Sequence, residues 1–81
     1  MRYKDGTLVA LGDLVRLNND EIGSVVGVIE DQQFLSGFRA EEWQYLKRGL
    51  LVDSTKYGLF HYEELGDEVE FVERGAKSNH P

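Results

Sequence analysis

The chain has 81 residues, no cysteine, and 15 acidic side chains against 9 basic ones, for a formal charge of −6. That length gives room for one domain and one core, burying about 60% of the unfolded surface and giving a total stability of about 4–12 kcal/mol. Little surplus remains to hold a strained active site, disulfides and zinc–thiolate sites are excluded, and a net negative field disfavours phosphate backbones as partners.

The opening Met1-Arg2-Tyr3-Lys4-Asp5-Gly6 has no apolar run behind its positive charges and does not read as a secretory signal. No apolar segment approaches the ~20 residues that span a bilayer. A reducing cytoplasm is the expected location.

Thr7 to Leu17 carries the first strong pattern, with Gly12-Asp13 punctuating it and Val15 and Leu17 alternating around Arg16 as a half-buried strand requires. Asn18-Asn19-Asp20-Glu21 reads as a hairpin or short loop, because Asn and Asp tolerate left-handed backbone. Gly23 to Glu30 is a second strand rich in β-branched residues, and Gly27 in its middle predicts a bend, a bulge or a close backbone approach.

The rhythm then breaks. Phe34, Leu35 and Phe38 are irregularly spaced around Ser36-Gly37, as in a loop anchored by its apolar side chains. Ala40 to Arg48 has the charge pattern of a short helix: Glu41 and Glu42 in the first turn, Lys47 and Arg48 in the last, and Gly49 as C-cap. Trp43 and Leu46 would share the face that docks on the sheet, and the segment is too short to be helical without that docking.

Leu50-Leu51-Val52 begins a third strand, Ser54 to Gly58 a turn or hairpin tip, and Leu59 to Leu65 a fourth strand. The fourth strand would place Leu59, His61, Glu63 and Leu65 on one face and Phe60, Tyr62 and Glu64 on the other. Residues 68–73 form a fifth strand with Val69 and Phe71 inward. The remainder, 74–81, has almost nothing to bury and is expected to be a mobile tail, leaving residues 1–73 as the domain.

Five short strands punctuated by turns predict a mainly β fold, a small barrel or sandwich. The segment LGDLVRLNNDEIGSVVGVI, residues 11–29, resembles the first hairpin of SH3-like barrels, where a Gly-Asp step precedes a strand and a glycine opens the next. That resemblance implies a five-stranded SH3-like barrel with the short helix inserted between strands two and three. The whole chain also resembles uncharacterised small bacterial proteins of the sort carried in mobile gene cassettes, through GDLVRL, EEWQYLKRG and GLFHYEE. Neither resemblance transfers functional residues.

Catalytic chemistry finds little support. His61 and Glu63 share a strand face but supply only two of the ligands a metal needs. Glu63 and Glu64 point to opposite faces of a strand, and Glu68 with Glu70 shares a solvent face, so neither pair converges on a cleft. No Gly-x-Ser-x-Gly elbow surrounds Ser24, Ser36, Ser54 or Ser78, and Gly23 and Gly27 lack the Lys-Ser/Thr of a phosphate loop. No cofactor or metal is expected, and the protein is read as a non-enzyme.

The aromatic residues carry more. Trp43, Tyr45, Tyr57 and Tyr62 with Asp53, His61, Glu63 and Glu64 are the candidate surface for an extended or cationic peptide, unless Trp43 and Phe60 simply complete the core. Leu35, Phe38, Tyr45 and Leu51 are the candidates for self-association as a homodimer, Leu51 because its parity opposes that of Leu50 and Val52. The expected function is a protein or peptide interaction module with a basic partner. Two alternatives stand beside it: a small acidic inhibitor, antitoxin or immunity-type protein, and a nucleic-acid-binding barrel of KOW or Tudor type.

Overall fold

The computed structural model describes residues 1–18, 20–54 and 56–75. Strands β1 (Leu14–Leu17) and β2 (Ile22–Val28) are antiparallel neighbours, and the turn between them closes through Asp20, whose N–H donates to the Leu17 carbonyl at 2.8 Å and whose φ is +70°. An aspartate tolerates that left-handed backbone, as its side chain can hydrogen-bond locally. Then come a two-residue strand β3 (Gln33–Phe34), helix α1 (Ala40–Trp43), a 3₁₀ turn (Gln44–Leu46), β4 (Leu50–Ser54), β5 (Gly58–Tyr62) and β6 (Val69–Glu73).

All the pairings are antiparallel and make one sheet in the order β5-β4-β2-β1-β6, with β3 added to β2. Among the described residues β5 and β6 end the path without pairing to one another, so the sheet is open where a closed barrel was expected. The count is six strands rather than five, because Gln33 and Phe34, in the stretch read as a loop, pair with Val28 and Gly27.

The main core lies on one face, where Val15, Leu17, Val25, Val28, Leu50, Val52 and Val69 are buried with Tyr3 and Val9, and Phe60, Tyr62, Leu65 and Phe71 pack against them. Val25 and Val28 are three residues apart, and strict alternation would send them to opposite faces. The register of β2 on β4 shifts between Val25 and Gly27, and this bulge brings both into one core. Gly27 is also a close-approach site, because a Cβ there would stand 2.7 Å from the Phe34 ring.

The other face has its own cluster. Val26, Ile29 and Leu51 are buried there beneath Phe34, Phe38, Trp43 and Leu46. Leu51, expected to face water and join a dimer contact, is 1% exposed. The segment from Phe34 to Leu46 folds over it, which removes from water the apolar stripe that β2 and β4 would otherwise show.

The predicted helix over Ala40–Arg48 is reduced to one α turn and one 3₁₀ turn. Its acidic first turn is present, but no basic residue lies in the last. The chain leaves helical geometry at Lys47, with φ +73°, because the register that docks Trp43 and Leu46 ends there and a segment this short has no independent stability. Gly49 does not cap an unbroken helix. It takes φ +109° against the end of β5, where a Cβ would stand 2.3 Å from the Tyr62 carbonyl oxygen.

The residue after β6 is tied back to the start of the chain. Arg74, assigned to the tail by sequence, donates to the Leu8 carbonyl at 3.1 Å and pairs with Asp13 at 3.2 Å. Asp13 is fully buried, and its Oδ2 accepts from the Tyr3 hydroxyl at 2.7 Å and the Ala10 N–H at 2.9 Å. One carboxylate therefore ties the N-terminal turn, the start of β1 and the end of β6 together. The rest of the expected tail, 76–81, lies outside the described residues.

Candidate functional site

The sheet divides the residues singled out from sequence. In the β4–β5 hairpin, Leu50, Val52, Phe60 and Tyr62 turn toward the main core, while Leu51 faces the other way. Tyr62 is therefore half-buried against the core, where burial and then the charge of Glu68 push its hydroxyl pKa upward. Trp43 packs on the second cluster, as the core reading of that side chain required. Tyr45 is 70% exposed beside it, and Asp53 and Tyr57 are exposed at the far end of the hairpin, with Lys56 5.5 Å from the Tyr57 ring centroid. These aromatic and acidic residues do not converge on one groove.

His61, Glu63 and Glu64 are held together at the opposite end of β5 by one arginine. Arg48 reaches Glu64 at 2.7 Å and Glu63 at 3.8 Å, and its carbonyl accepts a hydrogen bond from His61 Nε2–H at 2.9 Å. Glu30 joins this corner by accepting the Gly49 N–H at 3.1 Å, and Met1 and Leu65 complete a shallow depression of 350 Å³. The carboxylates here already have a cation among them. Among the described residues no group of three or more His, Asp or Glu side chains is arranged to hold a metal ion, and no helix is long and apolar enough to cross a membrane.

Of the residues weighed for self-association, Leu51 is buried, Phe38 packs on the second cluster, and Leu35 and Tyr45 stay exposed. The arginines do not form a free basic patch: Arg16 lies 3.4 Å from Glu70, Arg39 contacts Glu41, and Arg48 is held as above.

A second depression, of 360 Å³, lies between the N-terminal turn and β6, built by residues the sequence reading had not grouped. Its apolar wall is Tyr3, Val69 and Phe71, with the Tyr3 and Phe71 ring centroids 5.1 Å apart. Its rim carries Asp5, Asp67 and Glu70 against a single base, Lys4, which pairs with Asp67. Asp5 accepts the Thr7 N–H at 2.8 Å, and Thr7 holds its carboxyl pKa below the ordinary value. Lys4 and Asp67 are 63 positions apart, so no local spacing pattern announces this cleft. The one sequence signal for it is the run from Glu63 to Glu73, which holds six acids and no base.

Comparison of the chain with protein-family models, with curated proteins and with solved structures finds no match.

Proposed function

We propose that this chain is a non-enzymatic interaction module of SH3-like architecture whose partner is a basic protein or peptide. The strand order supports the architectural part: four strands follow as a β1-β2-β4-β5 meander, and the last strand returns to pair with the first. That is the connectivity of a small barrel left open along one seam.

The observation that carries the function is the distribution of charge between the two sheet edges. Six carboxylates fall within residues 63–73, which run from the end of the edge strand β5 through the edge strand β6. Their partners are three bases from elsewhere, Arg48, Lys4 and Arg16. An acidic surface of this kind steers a cationic partner and repels phosphate. Edge strands add main-chain groups to which an extended peptide can pair.

The test is a titration of the chain with a lysine-rich peptide, its glutamine counterpart and a DNA duplex, at low and high salt. The lysine peptide alone should bind, and its association should weaken as salt screens the charges. Binding of the duplex, or equal binding of the glutamine peptide, refutes the reading. An acidic inhibitor of a basic enzyme shares this chemistry and is favoured by the same run of carboxylates. It differs in requiring one folded target, so an isolated basic peptide would then bind no better than its neutral analogue.

A further inference from the structure

We propose that two copies of this chain pair through the free edge of β5, strand against strand about a two-fold axis at Phe60. Among the described residues β5 pairs only with β4, so its other edge presents main-chain donors and acceptors with no strand beside them. Such an edge is a template for a further strand.

The two ends of the sheet are not guarded alike. β6 carries Glu70 and Glu73 within it and Asp67 and Glu68 just before it, and its register on β1 shifts between Leu14 and Val15. Charges and irregular register are devices that keep edge strands from pairing. β5 has neither. It runs against β4 without a shift, and no proline or acid falls between Ser54 and Tyr62. A second copy also carries a charge of −6, so it is repelled where acids gather and approaches best where they are absent. Charge therefore selects β5 over β6 for a copy, whereas a basic partner is drawn to residues 63–73.

The same edge shows apolar surface to water, with Leu59 38% exposed and Tyr57 53%. Laid antiparallel on itself, the strand sets Phe60 against the Phe60 of the copy and Leu59 against the copy's His61, on both sides of the axis. One patch thus meets itself, as a two-fold interface requires. An axis at Phe60 matches the outward main-chain groups whichever alternate residues carry them, because an antiparallel ladder is symmetric about each opposed pair. An edge of five residues is smaller than a standard interface, so the pair is transient, with a dissociation constant of about 0.1–1 mM.

The experiment is light scattering of the full chain from about 20 µM to about 2 mM, a range that brackets such a contact, with amide chemical shifts followed over the same series. Mass should rise from monomer toward dimer, and the amides of Leu59 and His61 should shift most. Added salt should strengthen the pair about two- to fivefold, because it screens the repulsion between like-charged copies. That response is opposite in sign to the one expected for a basic partner, so the two readings fail separately. Leu59→Glu sets like charges beside the axis and should weaken the pair about tenfold. Val72→Glu adds the same charge on β6 and should leave it within a factor of about two. Both side chains are exposed, and the dispersion of each variant's amide spectrum reports that it stays folded. A monomer throughout the range, shifts centred on β6 or on Leu35 and Tyr45, equal weakening by both variants, or a pair weakened by salt overturns the proposal.

Discussion

Leu51→Ala separates a structural role for the second face from an adhesive one. The side chain is 1% exposed and lies with Val26 and Ile29 under Phe34, Phe38, Trp43 and Leu46. Truncation removes three buried carbons, a transfer term of about 2.4 kcal/mol at roughly 0.8 kcal/mol per methylene. A cavity term adds to it, since the β4 backbone is fixed by pairing on both sides, and a total of about 3–4 kcal/mol falls within the range for buried leucines. Against a whole stability of about 4–12 kcal/mol this is a large fraction. With a urea m-value of about 1 kcal/mol/M for a chain this small, the midpoint should fall by about 3 M. Urea melts followed by far-UV circular dichroism and Trp43 fluorescence measure it. Leu35→Ala, at a side chain left exposed beside the same cluster, should stay within about 0.5 kcal/mol. A loss below about 1 kcal/mol for Leu51→Ala, or a loss that varies with protein concentration, would refute the reasoning and return Leu51 to an interface between copies.

Three further outcomes follow from the same packing. Burial, then the Asp13 hydrogen bond, raises the Tyr3 pKa well above its ordinary 10.0, so the folded chain holds this proton where the unfolded chain releases it. The resulting stability is complete below pH 10 and declines as pH rises above it, whereas Tyr3→Phe should flatten that decline in thermal melts at alkaline pH. Gly49→Ala forces a side chain onto backbone at φ +109° and against the Tyr62 carbonyl, and should cost at least about 2 kcal/mol and about 10 °C in Tm; an unchanged melt would refute the close approach. Arg74→Gln leaves the buried Asp13 carboxylate without its cation and should cost about 1–3 kcal/mol. A double-mutant cycle with Asp13→Asn should show coupling between the two, and additive losses would show that the pair does not interact.

The parts legible in the sequence are those set by local periodicity. Alternation around Val15 and Leu17, the β-branched run through Val28, and the inward Val69 and Phe71 each follow from a period of two, and these residues line the main core. Gly27 was readable as an irregularity because a glycine inside a strand has few other uses. Leu51 was misread because parity tells only that a side chain leaves the first core, not whether a distant segment comes back to cover it. Asp13 escaped for a related reason. A carboxylate beside a glycine reads as turn punctuation, and its burial depends on Tyr3 and Arg74, ten positions before it and 61 after it. The cleft is harder still: its two walls lie at opposite ends of the chain and share no motif.

The same physics explains why the candidate surface lies at that seam. A chain of 81 residues has few apolar side chains to spare, and Trp43, Phe34 and Phe38 are committed to covering the second face of the sheet. What remains for recognition is where the sheet stays open and where chain ends meet. Asp13 fixes that meeting place by binding Tyr3 from one side and Arg74 from the other, so the aromatic wall of the cleft is rigid because a buried carboxylate holds it. Its rim is exposed and charged, with Lys4 and Asp67 paired in contact with water. On the proposed reading, a basic partner would meet this seam through the exposed carboxylates of residues 63–73, so its association should weaken as salt is added.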